Sequence, residues 1–304
     1  MNSPKNLAAS VKARLLALAE RRGESFNLLI VRFCIERLLY RLSRSRHADK
    51  FLLKGAMLFA LWDEKAPRPT RDVDFLAFGP TELNEIAEVF REIVETPVPE
   101  DGLVFQANSV QVERIREAEA YGGVRVRLLA LLGKGKVLLQ VDLASGDVVT
   151  PAPETSIFPA LLEFPAPHIR SYPIYTVVAE KLEAMVKLGI TNTRMKDFYD
   201  LWFLSQRFDF EGAVLHKAIH ATFVRRQTVL TDKLPVPLTD AFATDVAKQT
   251  QWIAFLRRNG LSGPSLQFAD MIISIRRFVV PILEKDKAPV RWQPATGWQQ
   301  YNVR

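Results

Sequence analysis

Asp72 and Asp74 stand one residue apart inside a strand-like run, Arg71-Asp72-Val73-Asp74-Phe75. In a strand, side chains at i and i+2 point to the same face, so the two carboxylates share one side of a sheet. Such a pair suits one or two divalent cations, because Mg²⁺ takes few protein carboxylates and completes its shell from water and substrate phosphates. Upstream, Lys54-Gly55-Ala56 introduces an apolar run that ends at Trp62. This part reads as a short approach, a turn at Gly55 and then a helix, whose first N–H groups are free to bind phosphate oxygens. A third acid, Asp142, lies among Leu138, Leu139, Val141 and Leu143, on the second arm of a hairpin around Gly133-Lys134-Gly135. Taken alone, each acid reads as an ordinary outward-facing strand residue. Together with Gly55 they define a candidate phosphoryl- or nucleotidyl-transfer centre. Asp72, Asp74 and Asp142 are its candidate metal ligands, and Asp142 is also a candidate proton acceptor.

The 304 residues suffice for a sizeable core and two subdomains. No stretch approaches the roughly 20 apolar residues of a membrane span, and the polar start, Met1-Asn2-Ser3-Pro4-Lys5, lacks a secretory pattern. One cysteine, Cys34, excludes an intrachain disulfide, and with four histidines it gives little basis for zinc. A cytoplasmic protein is the expectation. The net charge of +7 is uneven: residues 1–50 carry 11 Lys/Arg against 4 Asp/Glu and residues 205–304 carry 14 against 8, whereas 51–204 carry 16 against 22. An acidic middle between basic ends suits a metal-binding core beside a polyanion-binding surface, although Lys and Arg also simply solvate helices. Arg225-Arg226, Arg257-Arg258 and Arg276-Arg277 are candidates for an RNA track. No long heptad pattern is present, so a monomer is expected.

Periodicity predicts helices over 6–21 and 26–45, the second mostly buried with Arg32, Glu36, Arg37, Arg41 and Arg44 as a narrow polar stripe. A strand over 72–78, a surface helix over 81–97, a strand over 103–116 and the hairpin arms 124–132 and 136–143 follow. Five prolines between 151 and 167 predict a long irregular connection. Helices are then expected at 175–188, 194–206, 211–227, 237–259 and 264–285, and an irregular tail over 286–304. The domains expected are an N-terminal helical segment (1–50), a mixed α/β core (51–168) and a helical C-terminal domain (169–304).

A second cluster comprises Glu180-Lys181 and Arg194-Met195-Lys196-Asp197-Phe198-Tyr199-Asp200-Leu201. Lys181 interrupts an apolar helix, and Asp197 and Asp200 share a face at i, i+3. The spacing favours an ion pair that pins two helices. The functional alternative is a lysine on a triphosphate, oriented by an aspartate. Tyr199 and Trp202 are core residues or base-stacking platforms. Arg71 suits a phosphate or a neighbouring acid. His216 and His220 share a helix face and read as surface residues.

In this order, Lys54-Gly55-Ala56, Arg71-Asp72-Val73-Asp74, Val141-Asp142 with Gly146-Asp147 and Pro151, Glu180-Lys181, and Arg194-x-Lys196-Asp197-x-x-Asp200-Leu201 resemble the AbiEii/AbiGii-type nucleotidyltransferase toxins, which include the mycobacterial MenT proteins. The resemblance runs over roughly residues 10–285. It implies a DNA-polymerase-β-like nucleotidyltransferase core, α/β (α+β) in class, with N-terminal helices and a helical C-terminal domain. It also implies a toxin of a bacterial toxin–antitoxin system that uses a nucleoside triphosphate and one or two Mg²⁺ ions, with RNA, the tRNA 3′ end in some members, as acceptor and a cognate antitoxin as partner. Translation would be inhibited. Carried onto this chain, Asp72 and Asp74 are metal-binding and catalytic, Lys181 and Asp197 are the distal catalytic pair, and Asp200 matches a second acidic position. Gly55, Ala56, Arg71, Lys181 and Asp200 then fall to nucleotide binding. Where the family usually has a Ser or Thr after its glycine, this chain has Ala56 and Met57, so a hydroxyl donor is lost and the backbone donors remain. Competing readings are transfer to a protein side chain, transfer of phosphate alone, and a non-catalytic RNA- or partner-binding module on the same fold.

Overall fold

The structure is a computed structural model that describes residues 6–63, 68–115, 123–231, 233–261, 266–283 and 290–299. They form two compact units: residues up to Gly146 together with Pro153–Tyr172, and Asp147–Ala152 together with the chain from Pro173 on. The helices expected as a separate segment over 1–50 are therefore part of the first unit, and the chain passes to the second at 172/173, with a short excursion at 147–152.

In the first unit, helix α1 (Leu7–Arg22) starts at Asn6, whose side chain accepts from the Ala9 N–H, and ends at Gly23 in the left-handed conformation. Helix α2 (Phe26–Arg44) buries Leu29, Phe33, Ile35, Leu38, Leu39 and Leu42. Strand β1 (Phe51–Lys54) precedes a 3₁₀ turn, Gly55–Leu58, and a single α-helical turn, α3 (Phe59–Trp62). The helix expected after Gly55 is thus shorter and tighter than its apolar run suggested. Strand β2 (Asp72–Ala77), helix α4 (Leu83–Glu95), strands β3 (Leu103–Ile115), β4 (Gly123–Leu132) and β5 (Gly135–Ala144) follow the sequence pattern closely. Two strands then lie in the stretch expected to be irregular, β6 (Glu154–Ile157) and β7 (His168–Ser171). They pair antiparallel from Glu154↔Ser171 to Ile157↔His168, so the prolines flank the pairing instead of preventing it.

The seven strands form one mixed sheet in the order β3-β4-β5-β2-β1-β7-β6. Strict alternation along β4 and β5 sends Val124, Val126, Leu128, Leu139, Val141 and Leu143 to one buried face, and Phe51 is edge-on to both Phe75 and Phe90 of α4. Lys54, Asp72, Asp74, Arg125, Gln140 and Asp142 occupy the other face. The polar stripe of α2 is largely buried. Arg37 and Arg41 both bond Asp101, and Glu36 accepts from Arg37 and from the Leu161 N–H at 2.7 Å. Burial pushes the Glu36 carboxyl up to about 7, against the pull of the Leu161 N–H and Arg37.

In the second unit, α5 (Ile174–Leu188) packs with α6 (Met195–Arg207) and, past the short strand β8 (Phe210–Glu211), with α7 (Gly212–Arg225). The single helix expected over 237–259 is broken into a 3₁₀ turn (Val236–Leu238), α8 (Asp240–Thr244) and α9 (Val246–Arg258). The physical reason is two N-caps inside the run: the Thr239 hydroxyl accepts from the Phe242 N–H and the Asp245 carboxylate from the Lys248 N–H. Helix α10 (Phe268–Leu283) follows. The expected irregular tail instead contains a hairpin, β9 (Arg291–Gln293) and β10 (Gly297–Gln299), that joins β8 in a three-stranded sheet. Its Trp292 and Trp298 rings pack on Phe278. The rest of that tail, 286–289 and 300–304, and Pro67 of the expected loop lie outside the described residues. Among the described residues no helix is long and apolar enough to cross a membrane.

Candidate active site

The mixed sheet gathers the three strand acids of the first unit. β1 runs antiparallel to β2 with Lys54 opposite Asp74, and β2 runs parallel to β5 with Asp74 opposite Asp142. Asp72 lies one pleat along on the same face, opposite Gln140. Asp72 is exposed, and Asp74 and Asp142 are half-buried. Neighbouring strands are roughly 4.8 Å apart, so Asp74 and Asp142 are direct neighbours.

Gly55 is built against this pair. It has φ +71, and a Cβ there would lie 2.9 Å from the Asp74 Cβ, 2.7 Å from its Cγ and closer still to Oδ2. Both the left-handed backbone and the space therefore demand glycine, and the turn after it is held directly against the carboxylate. Lys54, next to it, sets its ammonium 5.1 Å from the centre of the Tyr172 ring. Arg71 is exposed immediately ahead of β2, and Ala56 is half-buried in the 3₁₀ turn.

Asp142 meets a residue that sequence reasoning did not single out. Arg125, its register partner on β4, donates from Nε to Oδ1 and from Nη2 to Oδ2, both at 2.8 Å. The hydrogen bond to Asp142 raises the Arg125 pKa above its ordinary value, against partial desolvation, and Asp72 adds to the effect. The signal was present: counting back from Leu132↔Gly135 at the hairpin turn sets Arg125 opposite Asp142. Among the described residues, no three His, Cys, Asp or Glu side chains converge as a preformed metal cage.

In the second unit, Lys181 of α5 reaches α6, where Nζ donates to Asp197 Oδ1 at 3.1 Å and to Asp200 Oδ2 at 2.7 Å. Arg194 Nε donates to the other Asp197 oxygen at 2.6 Å. Both aspartates are fully buried and Lys181 is nearly so. Burial would raise the Asp197 pKa, but Lys181, Arg194 and Lys196 outweigh it and hold the carboxyl below its ordinary value. The i, i+3 spacing thus placed both acids on one face, as expected. Tyr199 is core, packed among Trp202, Trp252 and Phe255.

The proposed arginine track is altered. Arg226 is largely buried and holds Asp147 through two bonds of 3.0 Å and Glu183 through one of 2.9 Å. It is a structural anchor for the 147–152 excursion, helped by Thr176, which exchanges hydrogen bonds with the Thr150 N–H and C=O. Arg276 bonds Leu238 and Asp240, whereas Arg257, Arg258 and Arg277 are exposed.

The family model of the AbiEii nucleotidyl transferase toxin, type IV toxin–antitoxin system, matches residues 37–274. The chain belongs to the AbiEii family. It is accordingly a nucleotidyltransferase and a toxin of a type IV toxin–antitoxin system, and the matched span takes in the sheet carboxylates and the Lys181 cluster. The family implies a nucleoside triphosphate substrate and an antitoxin partner. No curated protein matches the chain significantly. Among solved structures, this AbiEii-family chain is similar to JHP933 from Helicobacter pylori, at 14% identity over 79% of this chain and 84% of that one, with a TM-score of 0.45. It is also similar to a second H. pylori protein, provisionally described as a nucleotidyltransferase, at 14% identity over 79% and 91%, with a TM-score of 0.39.

Proposed function

We propose that this AbiEii-family enzyme transfers a nucleotide from a nucleoside triphosphate to RNA, with the 3′ end of tRNA as acceptor, and that Asp72 and Asp74 hold a Mg²⁺ ion for it. The observation that carries the reading is the Gly55–Asp74 contact beside Asp72: a tight backbone turn pressed onto one of two carboxylates that share a face. Among the described residues no third ligand converges with them, and two carboxylates fit Mg²⁺, which leaves positions to water and phosphate. When bound, the ion neutralises phosphate charge and lowers the pKa of the attacking hydroxyl.

The acceptor 3′ oxygen forms its bond to the α-phosphorus as the bond to the β-phosphate oxygen breaks and pyrophosphate leaves. The backbone N–H groups of Gly55 and Ala56 and the exposed Arg71 are assigned to the triphosphate. Lys181 is assigned to the nucleotide, with Asp197 and Asp200 orienting its ammonium. The exposed Arg257, Arg258 and Arg277 supply phosphate contacts for RNA. Supporting the RNA acceptor is the basic balance of residues 205–304.

The test incubates the protein and Mg²⁺ with total bacterial tRNA and each α-labelled nucleoside triphosphate in turn, with Asp74→Asn in parallel. Label on tRNA that the variant does not produce supports the reading. Label on protein alone, or on neither, overturns it.

A further inference from the structure

Lys248 breaks several local rules at once. It lies in the first turn of α9, where a basic side chain opposes the helix dipole. It is only 7% exposed, and among the described residues no carboxylate pairs with it, whereas buried lysines are almost always paired. Its Nζ donates to the Asn192 carbonyl at 2.9 Å and lies 5.2 Å from the centre of the Phe242 ring. Asn192 is fully buried and is also kept at a cost: Oδ1 accepts from the Arg194 N–H at 2.8 Å, while Nδ2 has no hydrogen-bond partner among the described residues. Arg194 is the N-cap residue of α6, and its Nε holds Asp197 Oδ2. Asp197 and Asp200 in turn hold Lys181. Phe242, under Lys248, stacks on Phe198, the neighbour of Asp197 in α6, with 5.6 Å between ring centres. Contacts therefore run from α9 to the start of α6 and to the acids that orient Lys181. The helix break before α9 is part of this run, because the Asp245 cap that starts α9 anew holds the Lys248 N–H. Such breaches of local preference concentrate where a site needs them.

We propose that Lys248 and Asn192 are positioning residues for nucleotide binding: Lys248 fixes the Asn192 carbonyl, the Asn192 side chain fixes the N-cap of α6, and Asp197 and Asp200 thereby hold Lys181 where it meets the triphosphate. This rests on the assignment of Lys181 to the nucleotide above. Neither residue touches the nucleotide, so their loss displaces Lys181 without removing it. The two act in series on one position, so removing both costs little more affinity than removing one. Lys248→Met strands no buried acid, and the fold is expected to survive it.

The test measures the Kd of each α-labelled nucleoside triphosphate, with Mg²⁺ and without RNA, by equilibrium dialysis against the full chain. The proteins are the wild type, Lys248→Met, Lys248→Arg, Asn192→Ala, Lys248→Met/Asn192→Ala, Lys181→Gln and Trp298→Ala, the last weakened in the terminal hairpin away from these contacts; urea unfolding shows that each is folded. For the triphosphate that the wild type binds best, Kd is expected to rise about tenfold in Lys248→Met and in Asn192→Ala, and by about the same factor in the double variant. Lys248→Arg, which keeps a donor, is expected to return within about threefold of the wild type, and Trp298→Ala to match it. A wild-type Kd in Lys248→Met or in Asn192→Ala, losses that multiply in the double variant, no recovery in a folded Lys248→Arg, or an equal loss in Trp298→Ala would overturn the proposal; the last would make Lys248 a stability residue only. Should Lys248→Met unfold, Asn192→Ala and Trp298→Ala still decide it. No triphosphate bound by the wild type, or a wild-type Kd in Lys181→Gln, is a different failure: it removes the assignment of Lys181 to the nucleotide, and the Lys248 role with it.

Discussion

Single residues set the chemistry through what they are pressed against. Gly55 has no room for a Cβ because Asp74 fills the space. Gly55→Ala is therefore expected to shift the turn or the carboxylate and to lower nucleotide transfer by about 100-fold, the usual cost of misplacing a reacting group by an ångström. Steady-state transfer assays, with thermal melting to show that the fold survives, check this. Lys181 is the cation to two buried acids. Lys181→Met leaves Asp197 and Asp200 without it and is expected to cost about 3–5 kcal/mol of stability, read by denaturant unfolding. Glu36 gives a pH signature. Its folded carboxyl keeps its proton up to about 7, whereas the unfolded chain releases it near 4.5. Between these values the folded state holds more protons, so stability falls as pH rises through that window, by on the order of 3 kcal/mol. Glu36→Gln should flatten this part of a Tm-versus-pH curve. Asp197 has the opposite sign: its lowered pKa gives stability that is present above the ordinary carboxylate range and is lost on acidification.

Elements were legible wherever local pattern was enough. The helices α1, α2 and α4 and the β4–β5 hairpin announce themselves through spacing, caps and turn residues, and the hairpin register even encodes the Arg125–Asp142 pair. Short strands did not: β6, β7, β9 and β10 each have only three or four residues, too few for a period, and exist because another strand pairs with them. The terminal hairpin is a structural component of the second unit. Trp292 donates to the Ser205 carbonyl and Trp298 to that of Phe278, both rings lying on Phe278. Trp292→Ala should cost about 3–5 kcal/mol, measured by urea unfolding. A tail without such packing would show almost no change.

Across the whole chain, charge is sorted between surface and interior in a way that composition conceals. Of the arginine pairs, Arg226 is held inward by Asp147 and Glu183, while Arg257, Arg258 and Arg277 face solvent. If RNA is the acceptor, as proposed, its affinity should then fall by at least about tenfold between 50 and 200 mM salt, and Arg257→Gln/Arg258→Gln should reduce the salt slope, as measured by filter binding. A salt-independent affinity would remove these arginines from the RNA contact.

The sequence by itself determined that Asp72 and Asp74 share a face, because a strand repeats every two residues, and that Asp197 and Asp200 share one face of their helix. Only the tertiary structure decided that β2 runs parallel beside β5, setting Asp142 against Asp74, that Gly55 abuts a carboxylate, and that Arg226 is an anchor. These outcomes depend on pairing between segments far apart in the chain. Local periodicity fixes which way a side chain points, whereas its neighbour across the sheet is chosen by the burial and hydrogen bonding of the whole unit.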